Sequence, residues 1–221
     1  MAGMRIAVLA SGGGTNLQAL IDAATDGTLG AEIALVLSNN PEAGALERAQ
    51  RAGIPTCCID HRGFASREAF DTAVVAALKE GGVELVALAG FMRILSPVFI
   101  DAFPGRIMNI HPALLPAFPG LHVQRKAIEY GAKFAGCTVH FVDGGVDTGP
   151  IIIQAVVPVH DDDTEESLAA RILVQEHRIY PEAVHLFAAG RLRLEGRRVL
   201  VAPAEVAPAG ALVNPPLATQ A

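Results

Sequence analysis

Short apolar runs alternate along the first half of the chain with longer stretches in which apolar residues recur at helical spacing. The runs, each typical of a strand buried in a parallel sheet, lie at residues 4–10, 33–38, 56–59, 83–89 and 106–110. The stretches between them predict helices at 17–24, 44–52, 66–79 and 97–102. Because strands joined by helices form right-handed crossovers, this order predicts an α/β fold: a Rossmann-like, mostly parallel twisted sheet with helices on both faces.

The second half of the chain predicts a helix, two strands and a long final helix. The short helix and the two strands are expected at 123–130, 134–142 and 151–159. Asp163, followed three residues later by Glu166, fits a variant of the capping box, which places the start of the long helix near Asp163. Pro181 is expected to kink that helix.

Length and composition fit one compact domain. The chain has 221 residues, of which 51% are hydrophobic and none is Trp, so an ample aliphatic core can form. We expect this domain to occupy residues 1–203 and an Ala- and Pro-rich, loosely ordered tail to occupy 204–221. No apolar run approaches the ~20 residues of a membrane span and no C-x-x-C pair occurs, which favours a soluble, cytoplasmic protein.

The charge balance limits the kinds of partner that the chain can attract. Lysine and arginine total 17 against 23 acidic residues, which gives a formal net charge of −6 at pH 7. Such a chain offers no overall basic field to nucleic acid or to an anionic membrane, although local phosphate binding stays open. We therefore expect small-molecule partners, no nucleic acid and no membrane, and a monomer or homodimer.

The first predicted strand ends in a glycine-rich loop that enters a helix. Residues 11–17 read Ser-Gly-Gly-Gly-Thr-Asn-Leu, so backbone N–H groups gather at a helix N-terminus, where Gly14, Thr15 and Asn16 suit a monophosphate. The loop matches neither a dinucleotide fingerprint, since Leu17 stands where a glycine is needed, nor a Walker loop, which requires Gly-Lys-Ser/Thr. A tight strand-to-helix turn without a ligand remains the alternative.

Two polar residues share one face at the end of the fifth predicted strand. Asn109 and His111 are two residues apart, at the carboxyl end where open α/β sheets bind their ligands. An asparagine supplies a neutral donor for a developing oxyanion, and a histidine exchanges protons near neutral pH. The alternative is a capping asparagine beside a hydrogen-bonded structural histidine.

A glycine-rich loop at 143–150 carries Asp147. An aspartate in a turn is ordinarily a turn former, but a loop folded over the fifth strand would let Asp147 pair with His111 and hold a water for proton transfer. For His140, on the preceding predicted strand, a structural and a catalytic role are both open. The sequence shows no metal-ligand spacing and no nucleophile elbow, so we expect neither a catalytic metal nor covalent catalysis.

Glu176 interrupts the apolar stripe of the long final helix. A buried carboxylate is costly unless it is paired, so Glu176 must meet a suitable partner. That partner is either an arginine in an internal ion pair or a ligand amine or hydroxyl at the base of a cleft.

Together these segments resemble a known family, the phosphoribosylglycinamide formyltransferases, which are folate-dependent enzymes of purine synthesis. The matching segments are Ser-Gly-Gly-Gly-Thr-Asn-Leu-Gln at 11–18, Leu-Ala-Gly-Phe-Met-Arg-Ile-Leu-Ser at 88–96, Asn-Ile-His-Pro-Ala-Leu-Leu-Pro at 109–116, Val-His-Phe-Val at 139–142, Asp-Thr-Gly-Pro at 147–150 and Gln-Glu-His-Arg-Ile-Tyr-Pro at 175–181. Gly13 and Thr148 stand where the family often has other residues. The resemblance implies transfer of the formyl group of 10-formyltetrahydrofolate to the amine of 5′-phosphoribosylglycinamide.

The resemblance also implies a role for individual residues. The ribonucleotide phosphate would be held by Gly14, Thr15 and Asn16, and its sugar or glycinamide would contact Glu176. The catalytic set would be Asn109, His111 and Asp147. The residues implied to contact the formyl donor are Arg67, Leu88, Met92, Arg93, Ile94, Leu95, Asn109, Val142 and Asp143.

Three other functions remain open from the sequence. Formyltetrahydrofolate deformylases, which pass the formyl group to water, and methionyl-tRNA formyltransferases are similar around residues 109–116. The deformylases carry an added N-terminal regulatory domain and the tRNA enzymes a C-terminal RNA-binding domain, for which we expect no room in this chain. A non-enzymatic nucleotide-binding module is the third alternative.

Overall fold

The computed structural model describes residues 3–203 and Leu212, and it contains every strand and helix predicted above. The strands of the main sheet are β1 (Met4–Leu9), β2 (Ala31–Ser38), β3 (Thr56–Cys58), β4 (Leu85–Leu88), β5 (Ile107–His111), β6 (Phe134–Phe141) and β7 (Ile151–Pro158). The α-helices are α1 (Thr15–Thr25), α2 (Gly44–Arg51), α3 (Arg67–Glu80), α4 (Pro97–Ala102), α5 (Val123–Tyr130) and α6 (Glu165–Ala188). The tail predicted at 204–221 lies outside the described residues, apart from Leu212.

The main sheet has seven strands in the order β3-β2-β1-β4-β5-β6-β7. Strands β1 to β5 are paired in parallel, whereas β6 is antiparallel to both β5 and β7. The predicted α/β class with a mostly parallel sheet is therefore confirmed. The strand order reverses between β1 and β4, and open α/β sheets bind ligands at such a switch point. The glycine-rich loop after β1 lies there, since the Ser11 amide donates to the Gly90 carbonyl at 3.0 Å.

Apolar side chains cover both faces of the sheet. One face is packed against α1, α2, α5 and α6, and the other against α3 and α4. Tyr180 of α6 is fully buried, and its hydroxyl lies 2.9 Å from the Leu88 carbonyl oxygen and 3.3 Å from that of Met108. The last helix is thereby fixed to β4 and β5, the two central strands that lead into the candidate site.

The start of α6 differs from the expected capping box. The N-cap is Thr164, whose hydroxyl accepts from the Ser167 amide while the Ser167 hydroxyl accepts from the Thr164 amide. Asp163 instead accepts from both terminal nitrogens of Arg171, at 2.7 and 2.8 Å, and these bonds hold its pKa well below the usual range. The helix does start near Asp163, but the capping pair is Thr164 and Ser167 because Asp163 and Thr164 are both capping residue types. The helix continues through Pro181.

An antiparallel hairpin that the hydrophobic pattern did not predict follows α6. Its strands are β8 (Leu192–Glu195) and β9 (Arg198–Val201). Arg197, in the turn between them, donates to the carbonyl oxygen of Thr148 at 2.6 Å. The hairpin therefore contacts the loop that carries Asp147.

Candidate active site

The glycine-rich loop enters α1 without a capping side chain. Gly14 occupies the N-cap with φ at 74°, and no side chain bonds to the first amides of the helix. A Cβ on Gly14 would lie 2.8 Å from the Cα of Ala45 in α2, so both the backbone angle and the packing require glycine there. The uncapped amides and the positive end of the helix dipole can bind an anion.

Glu176 of α6 faces this loop. Its carboxylate accepts from the Asn16 amide at 2.7 Å, and only 7% of the residue is exposed. Burial raises the pKa of Glu176, and the bond from Asn16 opposes that rise. Its partner is thus an amide in the glycine-rich loop and not an arginine. A ligand bound at the loop would contact a largely desolvated carboxyl group that can bind an amine or a hydroxyl.

Asn109 is held in place by a histidine on the neighbouring antiparallel strand. Asn109 of β5 and His140 of β6 are directly opposite in the register, and the Asn109 Nδ2 lies 3.2 Å from the His140 Nε2. The His140 Nδ1 lies 2.8 Å from the Phe141 carbonyl, which only accepts, so this nitrogen carries the proton and Nε2 accepts from Asn109. Burial lowers the pKa of His140 and so favours the neutral ring that this bond requires.

His111 and Asp147 form the second pair of the site. The Nδ1 of His111 lies 3.4 Å from the Asp147 carboxylate, and its Nε2 lies 3.0 Å from the Phe118 carbonyl oxygen. Both ring nitrogens of His111 therefore face oxygen atoms that can accept a hydrogen bond. Asp147 has φ at 54° and accepts from the Gly120 amide at 2.9 Å, so the loop at 143–150 reaches both His111 and the segment that follows it.

All but one of the residues implied to contact the formyl donor surround two adjoining cavities of about 550 and about 120 Å³. Their walls contain Leu88, Met92, Arg93, Ile94, Leu95, Asn109, Val142 and Asp143. Met92 and Ile94 are 63% and 61% exposed, so large apolar side chains border the opening beside Asn109. Such a cleft suits a flat aromatic ligand with polar edges. Arg67, the first residue of α3, lines neither cavity, and its guanidinium lies 3.7 Å from the Glu68 carboxylate.

Sequence reasoning did not assign two polar residues of β6. His140 was left open between two roles, because the strand register that brings it to Asn109 depends on long-range pairing. Thr138 was not singled out, although it is fully buried. Its hydroxyl donates to the Ala113 carbonyl at 2.7 Å and accepts from the Leu115 amide at 3.1 Å, which fixes the loop after His111. The available signal was a polar residue within a buried apolar strand.

No helix among residues 3–203 is long and apolar enough to span a membrane. Within the same residues, no three His, Cys, Asp or Glu side chains are grouped as metal ligands.

Comparison with known proteins identifies the family. The model of the formyl transferase family matches residues 4–184. The trifunctional purine biosynthetic protein adenosine-3 of Drosophila melanogaster is 54% identical over 188 residues, which are 84% of this chain but only 14% of that protein. Phosphoribosylglycinamide formyltransferase of Escherichia coli is 47% identical over 191 residues, with 86% of this chain and 90% of that protein covered.

Solved structures give the same result. The crystal structure of glycinamide ribonucleotide transformylase 1 from Symbiobacterium toebii is 56% identical with a TM-score of 0.89, covering 90% of this chain and 94% of that one. The phosphoribosylglycinamide formyltransferase from Anaplasma phagocytophilum is 42% identical with a TM-score of 0.85, covering 92% and 97%. The chain therefore belongs to the formyl transferase family, in its phosphoribosylglycinamide formyltransferase group.

Proposed function

We propose that this chain transfers the formyl group of 10-formyltetrahydrofolate to the amine of 5′-phosphoribosylglycinamide, a step of de novo purine biosynthesis. The observation that carries the proposal is the meeting of Asn109, His111 and Asp147 beside an apolar cleft. The start of the anion-binding loop is linked to that cleft, since the Ser11 hydroxyl accepts from the Met92 amide at 2.8 Å. Sites for a phosphate and for an aromatic formyl donor thus flank one catalytic group.

Each substrate has a place in this arrangement. The uncapped amides from Gly14 to Asn16 hold the phosphate, and Glu176 binds the sugar hydroxyls or the glycinamide. The apolar cleft beside Met92 and Ile94 takes the pterin, with polar contacts from Arg93 and from the backbone around 142–143. Arg67, farther out on α3, interacts with the glutamate end of the folate.

The reaction is direct attack of the glycinamide amine on the formyl carbon. A carbon–nitrogen bond forms, and the formyl oxygen becomes an oxyanion. One N–H of the Asn109 amide is used by His140, so its second N–H is free to donate to that oxyanion. Preorganised donors of this kind stabilise the charge without moving when it appears.

His111 and Asp147 carry out the proton transfers of the reaction. The charged imidazolium stabilises the oxyanion, and its Nδ1 proton, held only by the long contact with Asp147, passes to the departing N10 as the old carbon–nitrogen bond breaks. Asp147 positions a water that relays the proton of the attacking amine back to His111, so the imidazolium is restored. The amine loses one proton and N10 gains one, so the transfer balances without any external acid or base.

An acceptor-competition assay tests the proposal. The protein is mixed with 10-formyltetrahydrofolate with and without glycinamide ribonucleotide, and formylated ribonucleotide and free formate are both measured. We expect formylated ribonucleotide as the main product and little formate in either case. An equal rate of formate release without the ribonucleotide would indicate a deformylase. Ribonucleotide binding with no transfer at all would indicate a binding module, and either result would refute the proposal.

A further inference from the structure

Helix α2 contacts the glycine-rich loop at residues 11–17 through the carbonyl groups of that loop. The Ala45 amide donates to the Gly12 carbonyl at 3.1 Å. Arg48, one turn further along α2, donates from Nε to the Gly13 carbonyl at 2.7 Å and from a terminal nitrogen to the Gln18 side-chain oxygen at 3.2 Å. Two consecutive loop carbonyls are therefore bound by one helix, and one of them by a charged side chain.

These contacts determine where the loop amides point. In a trans peptide the carbonyl of one residue and the N–H of the next point in opposite directions within one plane. Binding the Gly12 and Gly13 carbonyls to α2 therefore directs the N–H groups of Gly13 and Gly14 away from α2. Since Gly14 has no side chain to restrict it and lies in the left-handed region, the Arg48 bond supplies an orientation that the backbone alone does not.

Arg48 also brings positive charge to the loop. Both of its contacts above are with neutral oxygens, a carbonyl and an amide. Its planar group donates to both at once, and its position between α1 and α2 is partly buried, where a charge is screened less than at the open surface.

We propose that Arg48 is a positioning residue for phosphate recognition: it fixes the Gly13–Gly14 peptide so that the loop amides face the phosphate of the substrate. The proposal rests on the function proposed above, because it assigns the loop to the phosphate of the ribonucleotide. Arg48 acts through the loop backbone and takes no part in the transfer itself, so its removal affects substrates that carry a phosphate and spares those that lack one.

The test compares Arg48→Met with Arg51→Met, a matched control on an exposed residue at the end of the same helix. Steady-state constants are measured with glycinamide ribonucleotide and with the corresponding riboside, which lacks the phosphate. Loss of a charge-assisted bond predicts a rise of about ten- to a hundredfold in the KM for the ribonucleotide in Arg48→Met. The kcat, the KM for the formyl donor and the kcat/KM for the riboside should stay within about twofold of the wild-type values, and Arg51→Met should match the wild type.

A third variant separates orientation from charge. Arg48→Lys keeps the charge but lacks the planar donor group, so we expect it to keep most of the KM defect. Full recovery by lysine, or equal losses with ribonucleotide and riboside in Arg48→Met, would overturn the proposal. Calorimetric binding of the ribonucleotide to each variant repeats the comparison without turnover. A wild-type protein that binds the ribonucleotide but transfers no formyl group would therefore refute the proposed function while still testing Arg48.

Discussion

Replacing His140 should slow formyl transfer mainly through its effect on Asn109, because the other contact of the ring in the site, with the Asp147 carboxylate, is longer at 3.7 Å. The geometry behind this prediction is the 3.2 Å contact between the Asn109 amide and the neutral His140 ring. Without that acceptor, the Asn109 side chain can rotate away from the formyl oxygen. The result can be measured with three variants: Asn109→Ala, His140→Ala and the double variant.

The expected magnitudes differ between the two residues. Asn109→Ala removes an oxyanion donor, which costs about 10²–10³ in kcat. His140→Ala removes one neutral hydrogen bond that orients this donor, with a net value of about 0.5–1.5 kcal/mol, so we expect about a two- to twelvefold loss. If His140 acts only through Asn109, the double variant should have the kcat of Asn109→Ala alone.

The assay is steady-state formyl transfer at saturating concentrations of both substrates, with thermal unfolding of each variant as a control for folding. His140→Gln adds a further control, because its side-chain oxygen can accept the same bond and should recover part of the rate. Losses that multiply in the double variant would refute the reasoning, since they would assign His140 a role of its own. A His140→Ala variant as slow as Asn109→Ala would refute it as well.

Three further predictions concern stability. Gly14→Ala should destabilise the fold by at least ~1 kcal/mol in urea denaturation, because the left-handed backbone is strained for alanine and the new Cβ would lie too close to Ala45. Gly12→Ala is the matched control, since no atom lies within 4 Å of a Cβ at that position. Tyr180→Phe should lower the free energy of unfolding by about 1–2 kcal/mol through loss of the hydroxyl bonds to β4 and β5, and an unchanged urea midpoint would contradict this. Because the folded-state pKa of Asp163 is depressed, its bonds with Arg171 stabilise the protein above the unfolded pKa of about 4 and are lost as pH falls below it. Unfolding of Asp163→Asn, followed from pH 7 to pH 3, should therefore depend less on pH than that of the wild type, and equal slopes would count against the ion pair.

Local sequence pattern was enough to predict most of the fold. Buried parallel strands read as continuous apolar runs, and their alternation with helices left few possible arrangements. The direction of β6 was not predictable, because an apolar run fits a parallel and an antiparallel neighbour equally well. The hairpin β8–β9 was missed because its strands have only four residues each and none of these residues is buried, although Gly196 between them is a residue typical of a turn.

The candidate site was predictable where one element carries it. Asn109 and His111 lie two positions apart on one strand, so their shared face follows from the strand period. The bond from Asn109 to His140 depends on the register between two strands, and the pairing of His111 with Asp147 depends on how a glycine-rich loop folds. Arg48 lies on a helix that carries no recognisable motif, so its contact with Gly13 was visible only in three dimensions.

The bond between Asn16 and Glu176 joins two residues that are 160 positions apart in the chain. During synthesis the glycine-rich loop emerges long before α6, and contacts between distant segments form late in folding. A ribonucleotide bound by both residues would link the first helix of the domain to the last. It would bind the native state and not the unfolded chain, so the resistance of the protein to unfolding and proteolysis should rise with the concentration of its own substrate.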